Sequence, residues 1–446
     1  MTSPQEQRTV HLLMRDDTHQ FIATSTSDSD LPKYVVDLLA DDTTVLAVAR
    51  DLLPHLGLDT HIVECLVVEH EPVEGGDGYV AALVELASLD ASRPLPEGWR
   101  WSPIAGVALT VEPELSSKLH VSLAGDPAPL NRPAWSDPDW YRRVVGWITA
   151  TLSPIATGIQ ILPVRLWGIA AVVRVDSDAG RYWFKATCAH FWREPVTSLF
   201  LSEQVPNAVA HVVAVHVDEP WMLLEDVGTM TFAHSDVGDL RAIEALVGVQ
   251  RTFFDRVDDL LAMGCQLRPL SALPSELGAT LDLPSTDHFI DVSEHDRRNV
   301  IESLTNAVAV LGRHATQNTL VHGDFHPGNV AVVGDRAVIF DWSDAAVTHP
   351  LIDIPSWTSW YRDDPERIQA IWDAFRAAWG DGLPAALFEE HRIDMQIAAC
   401  AYHTVSYARI VATMEPSRRQ EHGHGLTEFW AMLTRAVQNR GHRVAL

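Results

Sequence analysis

The sequence predicts an α+β chain in three parts: a small mixed module, a sheet-rich lobe and a large helical lobe. Three observations lead there. Short alternating apolar runs crowd the N-terminal half, whereas 3.6-residue apolar periodicity dominates the C-terminal half. A stretch holding Pro127, Pro129, Pro133 and Pro138 separates the first module from the rest and reads as a linker. At 446 residues, the chain also exceeds what one hydrophobic core usually organises. The expected division is 1–122 for the first module, 123–137 for the linker, 138–228 for the sheet-rich lobe and 229–446 for the helical lobe.

The elements follow in order. Residues 9–24 read as two short strands around a polar turn. Residues 44–56 carry an apolar stripe at 45, 46, 49, 52, 53 and 56, a helical spacing that Gly57 should stop. Pro54 sits in the last turn of that helix and should tighten or end it. Strands are expected at 61–69, 78–87 and 104–111. Ser136 with Asp139 three residues on marks a helix start, with Ser136 as N-cap and the helix near 138–152. Two strands should flank the turn Asp176-Ser-Asp-Ala-Gly180, followed by a helix at 194–204 and strands at 209–217 and 221–225. Helical patterns occupy 237–263 and 294–313, a strand 336–341, and helices most of the chain from 365.

Composition narrows the class. Hydrophobic content of 47% and charged content of 21% are those of a globular protein, and no apolar run is long enough to span a bilayer. The N-terminus lacks the basic start and apolar stretch of a signal peptide. Cys65, Cys188, Cys265 and Cys400 form no CxxC pair, which argues against a zinc ribbon or disulfide framework and fits a cytoplasmic setting. A formal net charge of −27 disfavours nucleic acid and anionic membranes as partners and favours cations, although acidity also serves solubility. Only three of the 33 Lys plus Arg residues are lysines, and Lys185 stands inside an apolar strand.

The densest chemistry lies in Leu320-Val-His-Gly-Asp-Phe-His-Pro-Gly-Asn-Val330. His322 and His326 have the spacing of two zinc ligands on a helix, but Gly323 and Pro327-Gly328 oppose a helix there. A loop of satisfied polar side chains is the plainer alternative. Asp324 and Asn329, however, stand five apart, as do the aspartate that receives the hydroxyl proton and the magnesium-binding asparagine of protein kinases. Val338-Ile-Phe-Asp-Trp342 then brings Asp341 to the place of a second metal-binding carboxylate. Phosphoryl transfer is served by such a set because the protein's task is positioning and charge neutralisation. Lys185, in Tyr182-Trp-Phe-Lys185-Ala, fits a strand lysine on the nucleotide phosphates. Its expected helix partner is Glu194, with Glu203 as the rival, and Trp221-Met-Leu-Leu-Glu225-Asp fits a strand ending where adenine would stack, or an ordinary buried strand.

HGDFHPGN followed by IFDW resembles the aminoglycoside phosphotransferase and choline-kinase-like enzymes, which share the bilobal protein-kinase-like fold. The resemblance covers roughly 138–446. It implies ATP and Mg²⁺ as cofactors, Asp324 as catalytic base, and Asn329 and Asp341 as metal ligands. On the nucleotide side it implies Lys185 as phosphate contact, Glu194 and Glu225 as supporting residues, and His322 as the residue that orients the loop. Departures also matter: Gly323 replaces the arginine that reads a phosphorylated activation loop in protein kinases, and DFG is replaced by Asp341-Trp-Ser. No GxGxxG loop is present, so the turn near Leu166-Trp-Gly168-Ile is left to cover the phosphates. Asp344 and Asp353 are expected to brace the loop. Trp357, Trp360 and Tyr361 are candidates for an acceptor pocket, or for plain core.

The N-terminal module faintly resembles a Nudix box over Arg50-Asp-Leu-Leu-Pro-His-Leu-Gly57-Leu58-Asp. Pro54 and His55 stand where that box has metal-binding glutamates, and a proline cannot supply a carboxylate, so hydrolase activity is not expected. An unrelated α+β module is the alternative, with a binding or dimerisation role. The sequence thus favours a kinase for a hydroxyl of a small molecule such as an aminoglycoside, sugar, nucleoside or amino alcohol. A kinase for Ser or Thr of a peptide recognised by the N-terminal module, and a non-catalytic nucleotide-binding pseudokinase, are the alternatives.

Overall fold

The structure is a computed structural model. It describes residues 6–441 apart from 16–19, 28–29, 39–42, 58–59, 71–78, 89–93, 106–108, 110–130, 229–230, 233–234 and 315. The chain divides into two compact units, one of residues 1–188 with 414–418 and the other of 189–413 with 419–446.

The first unit begins with strands β1 (Glu6–Met14), β2 (Phe21–Ser25), β3 (Lys33–Leu38), β4 (Thr60–His70), β5 (Tyr79–Ser88) and β6 (Trp99–Pro103). Four of them form a sheet in the order β3-β1-β5-β4, with β1 and β5 parallel and the other pairs antiparallel. β2 pairs with β6 instead of β1, which it meets only through the single bridge Arg15–Ile22. The two strands expected around 9–24 therefore exist but do not form one hairpin; the turn residues 16–19 lie outside the described chain. β3 and β6 were not foreseen, and most of the strand expected at 104–111 lies outside the described residues. Leu13, Ile22, Leu31, Ala81 and Leu83 fill the core of this module.

The helical run at 44–56 is present but not uniform. Thr43 caps it by accepting a hydrogen bond from the Leu46 amide at 3.1 Å. Pro54 does not end the run; Val48–Leu52 opens into a wide turn in which the Leu53 amide reaches the Val48 carbonyl. Proline has no N–H for the carbonyl four residues back, and the wider turn redistributes the pairing around that gap. Gly57 closes the run in the left-handed region at φ 64°.

Helix Pro138–Leu152 is capped by Asp137, not Ser136, with the Asp137 carboxylate accepting from the Asp139 amide at 2.9 Å. The residue before a proline is held extended, as a cap must be, so Pro138 fixes the cap at Asp137. Trp140, Val144, Ile148 and Leu152 form its buried stripe, and the Trp140 ring packs edge-on to Phe184. Of the expected linker, residues 123–130 lie outside the described chain. Strands β7 (Gln160–Leu166), β8 (Ala170–Ser177) and β9 (Gly180–Thr187) follow as an antiparallel meander. The predicted turn is there: Ser177 pairs with Gly180, whose φ is 129°.

The N-terminal module holds both this meander and the helix before it. The Thr43 hydroxyl donates to the Val164 carbonyl, His61 Nε2 lies 2.6 Å from the Trp135 carbonyl, and the His61 ring stacks on Tyr141 at 4.5 Å. Arg418, only 2% exposed, pairs with Glu64 at 3.1 Å and donates to the Leu166 carbonyl at 2.9 Å.

The second unit is mainly helical. Helix Glu194–Gln204 precedes β10 (Val212–Val215) and β11 (Trp221–Glu225), an antiparallel pair. The long helix expected at 237–263 is two: Asp236–Thr252 and Val257–Ala262. Phe253 leaves helical geometry between them, which lets it become fully buried while Phe254 packs against Trp379. Helices Glu294–Leu311, Pro365–Trp379, Arg392–Thr413 and Gln420–Gly441 build the core around Leu246, Leu304, Phe325, Trp357 and Phe375. Two short ribbons cross this core: Thr319–Val321 with Ala346–Thr348, and Val330–Val333 with Arg336–Ile339. The residues between those ribbons form the loop singled out by the sequence. Among the described residues, no helix is long and apolar enough to cross a membrane.

Burial holds His349, His403 and His422 in this unit near a pKa of about 4. In the unfolded chain these rings take up protons below about 6.5. Between those values the unfolded state binds more protons, so stability is present above pH 6.5 and lost as pH falls towards 4. Burial also lowers the pKa of His190 and His322, while the raised carboxyls Asp353 (to about 7), Asp344 and Asp239 act in the opposite direction; the histidine rings outnumber them. Thermal unfolding at pH 5 is expected well below that at pH 7, each ring contributing on the order of 1–2 kcal/mol. The variant His403→Gln should flatten this pH dependence measurably.

Candidate active site

The loop starts where strand Thr319–Val321, wholly buried, releases its backbone. The first two amides after the strand have no strand partner, and Asp353 supplies one. Its carboxylate accepts from the His322 amide at 3.0 Å and the Gly323 amide at 2.9 Å. Gln250 donates to the same carboxylate at 3.1 Å and to the Pro350 carbonyl at 3.0 Å. Gln250 is itself held by the Trp379 indole N–H at 3.2 Å. Asp353 and Gln250 are fully buried, so these bonds are what make their burial affordable. Burial raises the Asp353 pKa to about 7 against the pull of the three N–H donors.

His322, also fully buried, links the loop to the next ribbon. Its Nε2 lies 3.0 Å from the Phe340 carbonyl, and its Nδ1 accepts from the Asp324 amide at 3.3 Å. These partners define the neutral ring with its proton on Nε2, in line with burial lowering its pKa. The Asn329 side chain donates from Nδ2 to the Asp324 carbonyl at 3.0 Å, and the Asn329 carbonyl accepts from the Phe340 amide at 3.1 Å. Asp324, Asn329 and the residue before Asp341 are thus tied through one short network. The two histidines do not sit on a helix: Pro327–Asn329 is a single 3₁₀ turn, capped by His326, whose Nδ1 accepts from the Gly328 amide at 3.0 Å.

Gly323 has a backbone reason to be glycine. Its φ is 85°, and a Cβ there would lie 2.3 Å from the Asp344 carbonyl oxygen. No side chain, arginine included, fits that position without displacing the backbone beyond Asp341.

Four acidic side chains in this region have different surroundings. Burial pushes Asp324 up, but the hydrogen bond from His326 and the nearby His326, His322 and His403 rings outweigh it, and its pKa is lowered. The His326 ring, 3.5 Å from the Asp324 carboxylate, stacks on Trp360 with centroids 5.2 Å apart. Asp341 adopts a left-handed backbone at φ 66°, uncommon for a non-glycine residue, and its Oδ1 accepts from the Ser343 hydroxyl at 2.8 Å. Asp344 is held well above the usual carboxylate range by burial and by the charges of Asp324 and Asp341. Asp353 holds the backbone beneath them.

The remaining candidates lie as follows. Lys185 is buried on β9 in the first unit, opposite Val172 on β8. Glu194, 1% exposed, opens its helix in the second unit, while its rival Glu203 is exposed. Glu225 ends β11 on the surface, beside His211 at 3.4 Å. The aromatic trio divides: Trp357 is core, Tyr361 donates to Asp239 at 3.0 Å, and Trp360 is 52% exposed on His326. Gln250 and Tyr407, whose hydroxyl is pushed up chiefly by the Asp324 charge, escaped sequence reasoning. No local pattern marks them, because each reaches the loop from a distant segment.

Residues 183–394 match the model of the phosphotransferase enzyme family (APH). A search of curated proteins gave no match. Among solved structures, a macrolide 2′-phosphotransferase type I is similar at 17% identity, covering 65% of this chain and 96% of its own, with a TM-score of 0.46. A choline/ethanolamine kinase family protein from Mesorhizobium loti is similar at 13% identity, covering 67% and 98%, with a TM-score of 0.49. A spectinomycin phosphotransferase in complex with ADP and spectinomycin is similar at 10% identity, covering 67% and 97%, with a TM-score of 0.47. Likeness at that level does not bear on the chemistry of this site. None of these matches supports the Nudix-like resemblance of the N-terminal module.

Asp353→Asn replaces an acceptor oxygen with an N–H that faces a backbone N–H. It should destabilise the second unit by about 3 kcal/mol and abolish activity. Gly323→Ala should lower activity at least as strongly with a smaller change in melting temperature, since its strain is local. Thermal unfolding and activity assays on both variants check this.

Proposed function

We propose that the chain transfers the γ-phosphoryl group of ATP to a hydroxyl of a small molecule, with Mg²⁺ as the metal. The observation that carries the proposal is the network joining His322, Asp324, Asn329 and Phe340, which holds the acid and amide groups that phosphoryl transfer uses on one framework. Asp324 acts as the base: its lowered pKa keeps it ionised at neutral pH, and its partly exposed carboxylate accepts the proton of the attacking hydroxyl. Asn329 and Asp341 hold the metal. With its Nδ2 engaged by the Asp324 carbonyl, the Asn329 amide has Oδ1 as ligand atom, and Asp341 adds a carboxylate, both hard oxygen donors suited to Mg²⁺. No cluster of three or more acidic, His or Cys ligands occurs among the described residues, which accords with a metal that takes its other ligands from phosphates and water. When bound, Mg²⁺ supplies neutralisation of charge on the phosphates.

On the nucleotide side, Lys185 contacts the phosphates, and Glu194 and Glu225 are the supporting residues that the resemblance implies. The buried position of Glu194, against the exposed Glu203, favours it for that role. A small acceptor is favoured over a regulated peptide kinase because Gly323 admits no arginine for a phosphorylated segment. The hydroxyl meets Asp324 beside the exposed Trp360.

Purified protein should consume ATP with at least one member of a panel of aminoglycosides, sugars, nucleosides and amino alcohols. Asp324→Asn should lower kcat by roughly 10²–10⁴-fold with an unchanged melting temperature; wild-type turnover in that variant would refute the base assignment. Asp341→Asn should raise the Mg²⁺ concentration needed for half-maximal rate by roughly tenfold or more.

A further inference from the structure

A second polar pocket lies wholly within the second unit, behind Trp342-Ser-Asp344. Its walls include three arginines, Arg193, Arg268 and Arg409, together with Thr197 and Ser406. No sequence motif pointed to it, since its arginines come from three distant segments.

Arg268 is the central side chain, only 10% exposed. One face of its guanidinium covers the Tyr402 ring at 3.7 Å, and Nη1 donates to the Ser406 hydroxyl at 2.8 Å. Its Nε and Nη2 are buried without a hydrogen-bond acceptor, Nη2 lying 3.9 Å from Glu276. Arg193 Nε is likewise buried without an acceptor. Arg409, 37% exposed, reaches the same Glu276 carboxylate at 3.4 Å. A buried guanidinium N–H without an acceptor is costly, and planar Arg forks are suited to oxyanions. Burial and the charges of Arg409 and Arg268 lower the pKa of His190 on the same wall, the mark of a local positive field.

We propose that this pocket binds a small phosphate group, gripped by Arg193, Arg268 and Arg409. Glu194 on the wall selects the kind of oxyanion. A phosphate that retains a proton can donate to a carboxylate while accepting from the arginines; sulfate carries no proton at neutral pH and cannot. Arg193 also directly precedes the helix Glu194–Gln204, so the ligand fixes the turn that carries Glu194. This last consequence rests on the role proposed for Glu194; the site itself does not.

Titration of the full-length protein with inorganic phosphate at constant ionic strength, followed by melting temperature and calorimetry, tests the proposal. Glycerol phosphate and sulfate serve as parallel probes. Saturable phosphate binding is expected, tighter than sulfate, and weakened at least ~tenfold by Arg409→Met, whose exposed position spares the fold. Arg268→Lys should weaken it similarly. Lys185→Met should leave it intact, which separates this pocket from the nucleotide site. Tighter binding of glycerol phosphate than of inorganic phosphate identifies a phosphomonoester as the ligand. Absence of saturable binding, equal binding by Arg409→Met, or loss of binding in Lys185→Met would overturn the assignment, whatever the outcome of the ATP assays.

Discussion

The active-site loop depends on one buried carboxylate. Asp353 takes the two backbone amides that strand Thr319–Val321 leaves without partners, and Gln250 and Trp379 complete the shell around it. A charge-bearing group in a dry core is tolerable only when its acceptors are engaged, so the same bonds that hold the loop are those that permit Asp353 to be there. From the fixed amide of His322 the order propagates: the ring spans to Phe340, and Asn329 folds back onto the Asp324 carbonyl. Segments far apart in the chain become one rigid piece, and a rigid piece is what positioning chemistry requires.

Electrostatics then separates carboxyl groups that lie close together. Three histidines beside Asp324 lower its pKa despite burial, while Asp344, buried and facing Asp324 and Asp341, is driven up. The two carboxyls are thus pushed in opposite directions, Asp324 down and Asp344 up. Aromatic packing sets the walls: Phe325 stacks on Trp357 at 4.5 Å on the core side, and His326 on Trp360 on the open side. Phe325 and His326 directly follow Asp324 in the chain, so aromatic packing holds the segment after it on both the core and the open side.

The first unit shows a different economy. Its N-terminal sheet holds the meander strand β7 through Thr43 on Val164 and through Arg418, which joins Glu64 to the carbonyl of Leu166. Leu166 is the last residue of β7, directly before the turn that the sequence left as the candidate phosphate cover. A buried Arg with one carboxylate and one carbonyl partner is a firm anchor, because releasing either partner leaves a desolvated charge.

The family resemblance was legible in the sequence because it resides in short, ordered spacings: Asp324 to Asn329 across a Pro-Gly turn, then Asp341 at the end of an apolar strand. Most helices and the meander were legible too, since apolar periodicity and turn residues act locally. Boundaries failed where a neighbour's geometry intervened, as when Pro138 moved the cap to Asp137 and Pro54 opened a wide turn instead of ending a helix. Strand pairing in the N-terminal module was not readable, because β2 and β6 are brought together only by the fold. The same holds for Gln250, for Tyr407, for the arginine pocket and for Trp360 as the exposed member of its trio. The sequence by itself determined which chemical groups the loop carries and in what order. Only the tertiary structure decided how they are held, because hydrogen bonds and burial act between residues that the chain separates by a hundred positions.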